Sequence, residues 1–256
     1  MIARLLRGRT KARPPVGSIP AGRRIYAIGD IHGRLDLLDA LLARIDLDDA
    51  RRGAAQSEII FLGDLIDRGP QSAQVIERAL ELSAGARGAR FLLGNHEEVF
   101  LKALDGDLKS LAFFTRIGGR ETILSYGISE QEYRACDYPE LLGLLRQRVP
   151  QEHIAFLERF EDLIVLGDYA FVHAGVRPGR QLGQQQVSDL RWIRTEFLEH
   201  RGPFEKVIVH GHTVTEEIEL RDHRIGLDTG AYASGKLSAM GFEGNSRWVI
   251  DTAAPQ

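Results

Sequence analysis

One pattern constrains the fold of this chain more than any other, and it occurs three times in the first hundred residues. Each time an apolar run ends in glycine and a polar residue, and an amphipathic stretch follows. Arg24–Ile28 ends in Gly29-Asp30 and leads to Leu35, Leu38, Leu41, Leu42 and Ile45 at helical spacing. Glu58–Leu62 ends in Gly63-Asp64 and leads to Val75, Ile76, Ala79 and Leu80. Ala89–Leu93 ends in Gly94-Asn95 and leads to Val99, Leu101 and Leu104. Short apolar runs alternating with 3.6-period segments predict βαβ units, hence an α/β fold with a parallel sheet. Right-handed crossovers put all three strand ends on one edge, and open α/β sheets bind ligands just beyond that edge. Asp30, Asp64 and Asn95 should therefore converge.

Residues 98–160 interrupt this rhythm with a mainly helical pattern (Leu141, Leu142, Leu144 and Leu145, then Ile154, Phe156 and Leu157) and are expected to form a cap beside the strand ends. Further strands are expected at Leu163–Leu166, Tyr169–Val172, Val207–Val209, Glu217–Leu220, Arg224–Leu227, Lys236–Met240 and Arg247–Ile250, making a second, largely antiparallel sheet packed on the first. No Pro/Gly/Ser-rich linker divides the halves, so residues 24–256 read as one domain.

The chain has 256 residues and one cysteine, Cys136, which rules out an internal disulfide framework and favours a reducing, cytoplasmic location. No apolar stretch approaches the ~20 residues needed to cross a bilayer. Seven of its 33 basic residues, Arg4, Arg7, Arg9, Lys11, Arg13, Arg23 and Arg24, precede Asp30, and no acidic residue does. Residues 1–23 are thus expected to be a basic, mobile tail. The rest is acidic, which argues against a nucleic-acid partner; the sequence gives no oligomeric state.

The polar residues expected at strand ends are Asp30 and His32, Asp64, Asn95 and His96, His173, and His212. Oxygen and imidazole donors without sulfur suit a divalent ion such as manganese, iron or zinc. Six candidate ligands exceed the three that a catalytic zinc needs and fit two ions sharing a carboxylate, an arrangement suited to phosphoester hydrolysis. Helix capping would account for Asp30, Asp64 and Asn95, but not for the histidines. His210 is an alternative to His212; His153, His200 and His223 lie outside every motif and are expected at the surface; Glu97 and Asp228 are expected to orient ligands or loops.

The same residues resemble the ordered motifs of calcineurin-like metallophosphoesterases, and most closely their phosphoprotein phosphatase branch of bacterial type. They are GDIHG around Asp30, GDLIDRG at 63–69, GNHE at 94–97, HAG at His173 and GHT around His212. The resemblance covers residues from about 24 to the strands near 250. It implies a four-layer α/β/β/α sandwich, two mixed sheets flanked by helices, with the cap as an insertion. It assigns Asp30 and His32 to a first metal, Asp64 to both, and Asn95, His173 and His212 to a second, with manganese the leading ion. It implies attack by a hydroxide held between the metals. His96 would be the general acid oriented by Asp67, Arg68 would grip phosphate, and Asn95 and Arg194 would assist, with Arg191 the alternative to Arg194.

Members acting on diesters resemble Gly-His-x-His at the last motif, whereas Val214 stands at that final position here. Phosphomonoesters are therefore expected ahead of diesters, with a serine/threonine phosphoprotein first. A dinucleoside polyphosphate is the alternative, for which residues 98–160 would supply a base-stacking surface. A non-catalytic scaffold is the third reading.

Overall fold

A computed structural model describes residues 17–253. The expected βαβ order holds: β1 (Arg23–Ile28), α1 (Leu35–Arg51), β2 (Gln56–Phe61), α2 (Ser72–Ala84), β3 (Ala89–Phe91) and α3 (Asn95–Asp105). Five helices follow, α4 (Leu108–Phe114), α5 (Arg120–Ser125), α6 (Glu130–Ala135), α7 (Tyr138–Arg148) and α8 (Gln151–Leu157). The chain then runs through β4 (Ile164–Leu166), β5 (Tyr169–Phe171), α9 (Val187–Trp192), α10 (Thr195–Leu198), β6 (Val207–His210), β7 (Glu219–Leu220) and β8 (Arg224–Gly226). It ends with α11 (Ala231–Ser234), β9 (Ser238–Glu243) and β10 (Ser246–Asp251).

Two five-stranded mixed sheets result, in the orders β10-β9-β1-β2-β3 and β4-β5-β6-β8-β7. The expectation of a largely antiparallel second sheet is corrected twice. Its central pairs, β5 with β6 and β6 with β8, are parallel. The last two strands leave it altogether, for β9 pairs antiparallel with β1 and carries β10 on its outer side. Strand patterning reports which faces are buried, not which neighbour a strand selects.

Alternation along each strand builds the layers. In β1, Tyr26 and Ile28 join the core beneath the helices, while Ile25 and Ala27 join the core between the sheets. In β6, Val209 faces that inter-sheet core, and Ile208 packs with Leu190, Ile193 and Phe197 of the outer helices. Strands buried on both faces read as continuous apolar runs because neither side meets water. Three cores separate four layers, helix, sheet, sheet and helix.

The helical insertion does more than cap an edge. Leu111, Phe114, Ile123, Tyr126 and Leu145 are buried in the same core as Phe100 of α3 and Val75 of α2. Phe100 stacks on Phe114 with ring centroids 5.1 Å apart.

Of the expected basic tail, Arg4, Arg7, Arg9, Lys11 and Arg13 lie outside the described residues. Residues 17–19 are packed against the body. Ser18 N–H donates to Asp168 (3.0 Å), Tyr169 hydroxyl donates to the Gly17 carbonyl (2.9 Å), and Ile19 is buried. Arg24 is only 1% exposed and ties three elements together. It donates to Glu243 (2.8 Å), Asp49 (2.6 Å) and the Gly53 carbonyl (2.7 Å). Its carboxylate partners are partly exposed, so removing the guanidinium costs charge-assisted hydrogen bonds rather than stranding buried charges. Arg24→Leu is expected to lower unfolding free energy by about 2 kcal/mol, read as a shifted urea midpoint; an unshifted midpoint would mean that water replaces the guanidinium at no cost.

Candidate metal centre

Strand ends of both sheets meet at one edge. The β1 and β2 exits are bonded to each other, with Ile31 and His32 N–H donating to the Asp64 carbonyl (3.1 and 2.9 Å). The β6 exit is bonded to the β5 exit through Gly211 N–H and the His173 carbonyl (2.8 Å). Asp30, His32, Asp64, Asn95, His173 and His212 are gathered there, each buried. The capping alternative fails for Asp30 and Asp64, because the helices that follow are capped at Arg34 and Gln71; Asn95 is the first residue of α3, behind Gly94.

The backbone here is strained. Among the described residues, the non-glycine positions with positive φ are His32 (47°), Asp64 (51°), Asp67 (74°), Arg68 (66°) and His212 (64°), all at this edge. Each such conformation costs on the order of 1–3 kcal/mol and persists only where its surroundings impose it. Glu97 imposes much of it. Its buried carboxylate accepts N–H bonds from Asp64 (2.9 Å), Leu65 (2.7 Å), Ile66 (3.2 Å) and Gly94 (3.0 Å). The Asp67 N–H is held by Ser72 and Thr122 hydroxyls (3.0 and 2.9 Å), and Arg68 N–H donates to the Gly118 carbonyl (3.0 Å). At Gly211 a Cβ would stand 2.0 Å from an Asp30 oxygen, so only glycine fits.

Asp64 divides its two oxygens between two sets of donors. Oδ1 lies 3.4 Å from His173 Nε2, and Oδ2 lies 3.7 Å from His32 Nε2 and 3.8 Å from His96 Nε2. Two groups able to hold a cation share this carboxylate, His32–Asp64–His96 and Asp64–His173–His212. Asn95 Oδ1 joins the second at 3.0 Å from His173 Nε2. His96 stands in the first trio beside His32 and Asp64, and Asp30 lies next to it. Both Asp30 oxygens accept the His212 N–H (3.1 and 3.0 Å).

The donors fit divalent ions. His32 and His173 each bond a backbone carbonyl through Nδ1, Ile66 and Leu62 respectively, both at 2.7 Å. That contact fixes the tautomer and aims the Nε2 lone pair at the site. His212 Nε2 is buried with no hydrogen-bond partner. Burial lowers the pKa of His32 to about 3 and of His212 to about 2, which keeps both rings neutral. Burial opposes charge on Asp64 as well, yet its pKa lies below the usual carboxylate range, because the surrounding imidazoles, His173 and His96 foremost, draw it down. Asp30 is pushed well up by burial and by neighbouring Asp228 and Asp64. Buried carboxylates so placed ionise together only with positive charge among them.

A family model for calcineurin-like phosphoesterases matches residues 23–240. The chain belongs to this family. A curated relative, the asymmetrical bis(5'-nucleosyl)-tetraphosphatase PrpE of Bacillus cereus (strain ATCC 10987 / NRS 248), is 27% identical over 234 residues, which span 83% of this chain and 88% of the relative. The crystal structure of a candidate diadenosine tetraphosphatase superposes with a TM-score of 0.62 at 21% identity, covering 92% of this chain and 98% of its own. A cold-active protein tyrosine phosphatase gives 0.59 at 20% identity, covering 94% and 84%. At these identities the two structures show the shared fold alone.

Within this phosphoesterase site, His96 differs from the other histidines. Its Nδ1 bonds a carboxylate, Asp67, at 2.5 Å rather than a carbonyl. Burial disfavours its charged form, yet Asp64 and Asp67 outweigh that and raise its pKa. Arg68 bridges two rings, with Nη1 2.9 Å from His32 Nε2 and Nη2 3.1 Å from His96 Nε2. Ligation by His32 Nε2 therefore requires the guanidinium to turn off that nitrogen.

The two candidate arginines differ in their partners. Arg191 donates to Asp162 at 2.6 Å and faces Glu98 at 3.7 Å. Arg194 is exposed, reaches Thr213 at 3.4 Å, and its charge is felt by His173 and His212. His210 turns away from the centre and sets its ring on edge against Phe197, centroids 4.9 Å apart. Three histidines are not the surface residues expected. His153 is buried between Tyr126 (3.0 Å) and Glu77 (2.9 Å), while His200 and His223 are half-buried around Phe204.

Sequence reading missed Ser72, Thr122 and Gly118, which brace Asp67 and Arg68. No local signal marks them, because Thr122 and Gly118 reach the loop only through the packing of the helical insertion. Tyr232 of α11 was also missed, since only tertiary packing brings it to Arg68; its ring centroid lies 4.7 Å from the Arg68 guanidinium carbon. Removing the acceptor in Glu97→Ala strands several buried N–H groups beside the strained turn. This variant is expected to lose about 4 kcal/mol of stability and most of its bound metal. Chemical denaturation and elemental analysis check both, and wild-type metal content would refute the bracing role.

Proposed function

We propose that this chain is a metal-dependent dinucleoside polyphosphate hydrolase that adds water across a phosphoanhydride of a dinucleoside tetraphosphate and releases a nucleoside triphosphate and a nucleoside monophosphate. The carrying observation is the similarity to curated asymmetrical tetraphosphatases over most of both chains, joined to the two donor groups that share Asp64. This reverses the order set by sequence, in which a phosphoprotein came first. A small nucleotide substrate also agrees with a cytoplasmic location.

Asp30, His32 and Asp64 would hold a first ion, and Asp64, Asn95, His173 and His212 a second, with manganese the leading candidate. Bound there, the ions acidify water and withdraw charge from phosphate oxygens. The protein's own groups do the rest. Arg68, freed from the imidazoles, presents a planar fork to two phosphate oxygens. Arg194, exposed beside His212, takes a neighbouring phosphate. His96 is held by Asp67 so that Nε2 faces the site and donates a proton to the departing oxygen. Asp67 is held in turn by Thr122 (2.6 Å).

Proton donation matters most when the leaving oxygen is basic. His96→Asn is expected to cut kcat on an alkyl phosphate such as phosphoserine about 10²–10⁴-fold, and less on a dinucleoside tetraphosphate, whose leaving nucleotide is far less basic. Equal losses on both would remove His96 from the acid role. Chromatography of diadenosine tetraphosphate digests by manganese-reconstituted protein, run beside a phosphoserine peptide, tests the substrate. Equimolar ATP and AMP, with kcat/KM well above that for the peptide, are expected. Two ADP per substrate would overturn the asymmetry, and preferred peptide turnover would restore the phosphoprotein reading.

A further inference from the structure

Tyr232 stands on the four-residue helix α11, between Gly230 (φ 66°) and Gly235 (φ 71°), both left-handed. Two contacts fix its ring. It lies 4.7 Å from the Arg68 guanidinium carbon and meets His32 edge to face, centroids 5.4 Å apart at 88°. Arg34 bonds the neighbouring Ala231 carbonyl at 3.0 Å, and Asp228 accepts the Gly230 N–H at 2.9 Å. The residue is nevertheless 38% exposed. An aromatic ring held this firmly against a catalytic edge, yet left open to solvent, is a platform rather than core.

Beside it opens a pocket of about 400 Å³ with Val214, Thr215, Glu216, Tyr232, Ala233 and Lys236 in its wall. Val214 is 50% exposed there. Its chemistry is wrong for phosphate. Lys236, the cation of this wall, is bonded to Glu217 (2.8 Å) and the Glu216 carbonyl (2.9 Å), and exposed Glu216 and Glu217 leave the rim acidic. A neutral, flat group suits it, with a ring face to stack on and carboxylate acceptors for an exocyclic amine. The pocket also lies beside the arginine proposed to grip phosphate.

We propose that the Tyr232–Val214 pocket receives the adenine base of the nucleotide whose phosphate sits on Arg68. The inference rests on the proposed nucleotide-hydrolase function and deepens it by naming where the base goes. It also relocates the base-stacking surface, expected within residues 98–160, to residues 214–236. Val214, which bars a further histidine ligand, thereby becomes part of the substrate wall. A base stacked on an aromatic side chain gains about tenfold or more in affinity.

Calorimetric titration of manganese-loaded protein with AMP and with ribose 5-phosphate reads base recognition directly, without turnover. Wild-type protein is expected to bind AMP at least about tenfold tighter than ribose 5-phosphate. Tyr232→Ala should bring the ratio near one, and Tyr232→Phe should preserve it. Val214→Trp narrows the pocket without replacing Tyr232, and should also collapse the ratio. A wild-type ratio near one, or a ratio unchanged in both Tyr232→Ala and Val214→Trp, overturns the assignment. Tetraphosphate cleavage with an unchanged ratio would sink the pocket and leave the function standing. No cleavage, with a ratio that still collapses in the variants, would sink the function and leave the pocket.

Discussion

The Glu97 carboxylate, folded back from the first turn of α3 onto four backbone N–H groups, is the interaction on which the centre depends. The β2 exit must turn through a left-handed residue at Asp64 for its side chain to reach both donor groups. Such a turn leaves N–H groups pointing inward, where each would be costly unpaired. One buried anion satisfies Asp64, Leu65, Ile66 and Gly94 together. It also locks the β2 exit to the β3 exit, so that the Asp64 carboxylate and the Asn95 amide share a frame. Rigid strands then hold a strained loop that could not persist alone.

Four layers make this precision affordable in stability. The central strands of each sheet bury both faces, and the strand ends inherit the rigidity of three adjoining cores. The helical insertion packs into the first of these and sends Thr122 and Gly118 to brace Asp67 and Arg68. It thus acts on the site through the loop it supports. Charge is arranged with the same economy: burial keeps His32 and His173 neutral while carbonyl partners fix their ring orientation, and a carboxylate partner sets His96 apart. One residue type serves for ligation and for proton transfer because the atom behind the ring differs.

Much of the fold was legible from local pattern. The three β-runs with their Gly-polar exits predicted parallel strands, a common edge and the convergence of Asp30, Asp64 and Asn95. The helical character of the insertion followed from leucine spacing. What failed was partner choice. Strands 238–243 and 246–251 carry the right pattern, but nothing in it assigns them to the first sheet. Arg24, which opens the first β-run, is a buried cross-link that no pattern reveals, since its partners Asp49 and Glu243 are distant in sequence. His153 was misjudged likewise, because Glu77 and Tyr126 meet it only after α2 and α8 pack.

Residue order alone determined the chemistry on offer: which side chains end strands, which can ligate a hard cation, and which glycines permit close approach. Those properties follow from covalent structure and from the two- and 3.6-residue periods, so no neighbour need be known. Tertiary structure decided how those groups are divided. It set Asp64 between two donor groups, left Asp30 on the His212 N–H, gave His96 its carboxylate, paired Arg191 off and left Arg194 exposed, and stood Tyr232 against Arg68. Each of these depends on distances between residues tens to hundreds of positions apart. Only close packing sets such distances, because ångström-scale differences between neighbours decide whether a nitrogen ligates, donates or stays buried without a partner.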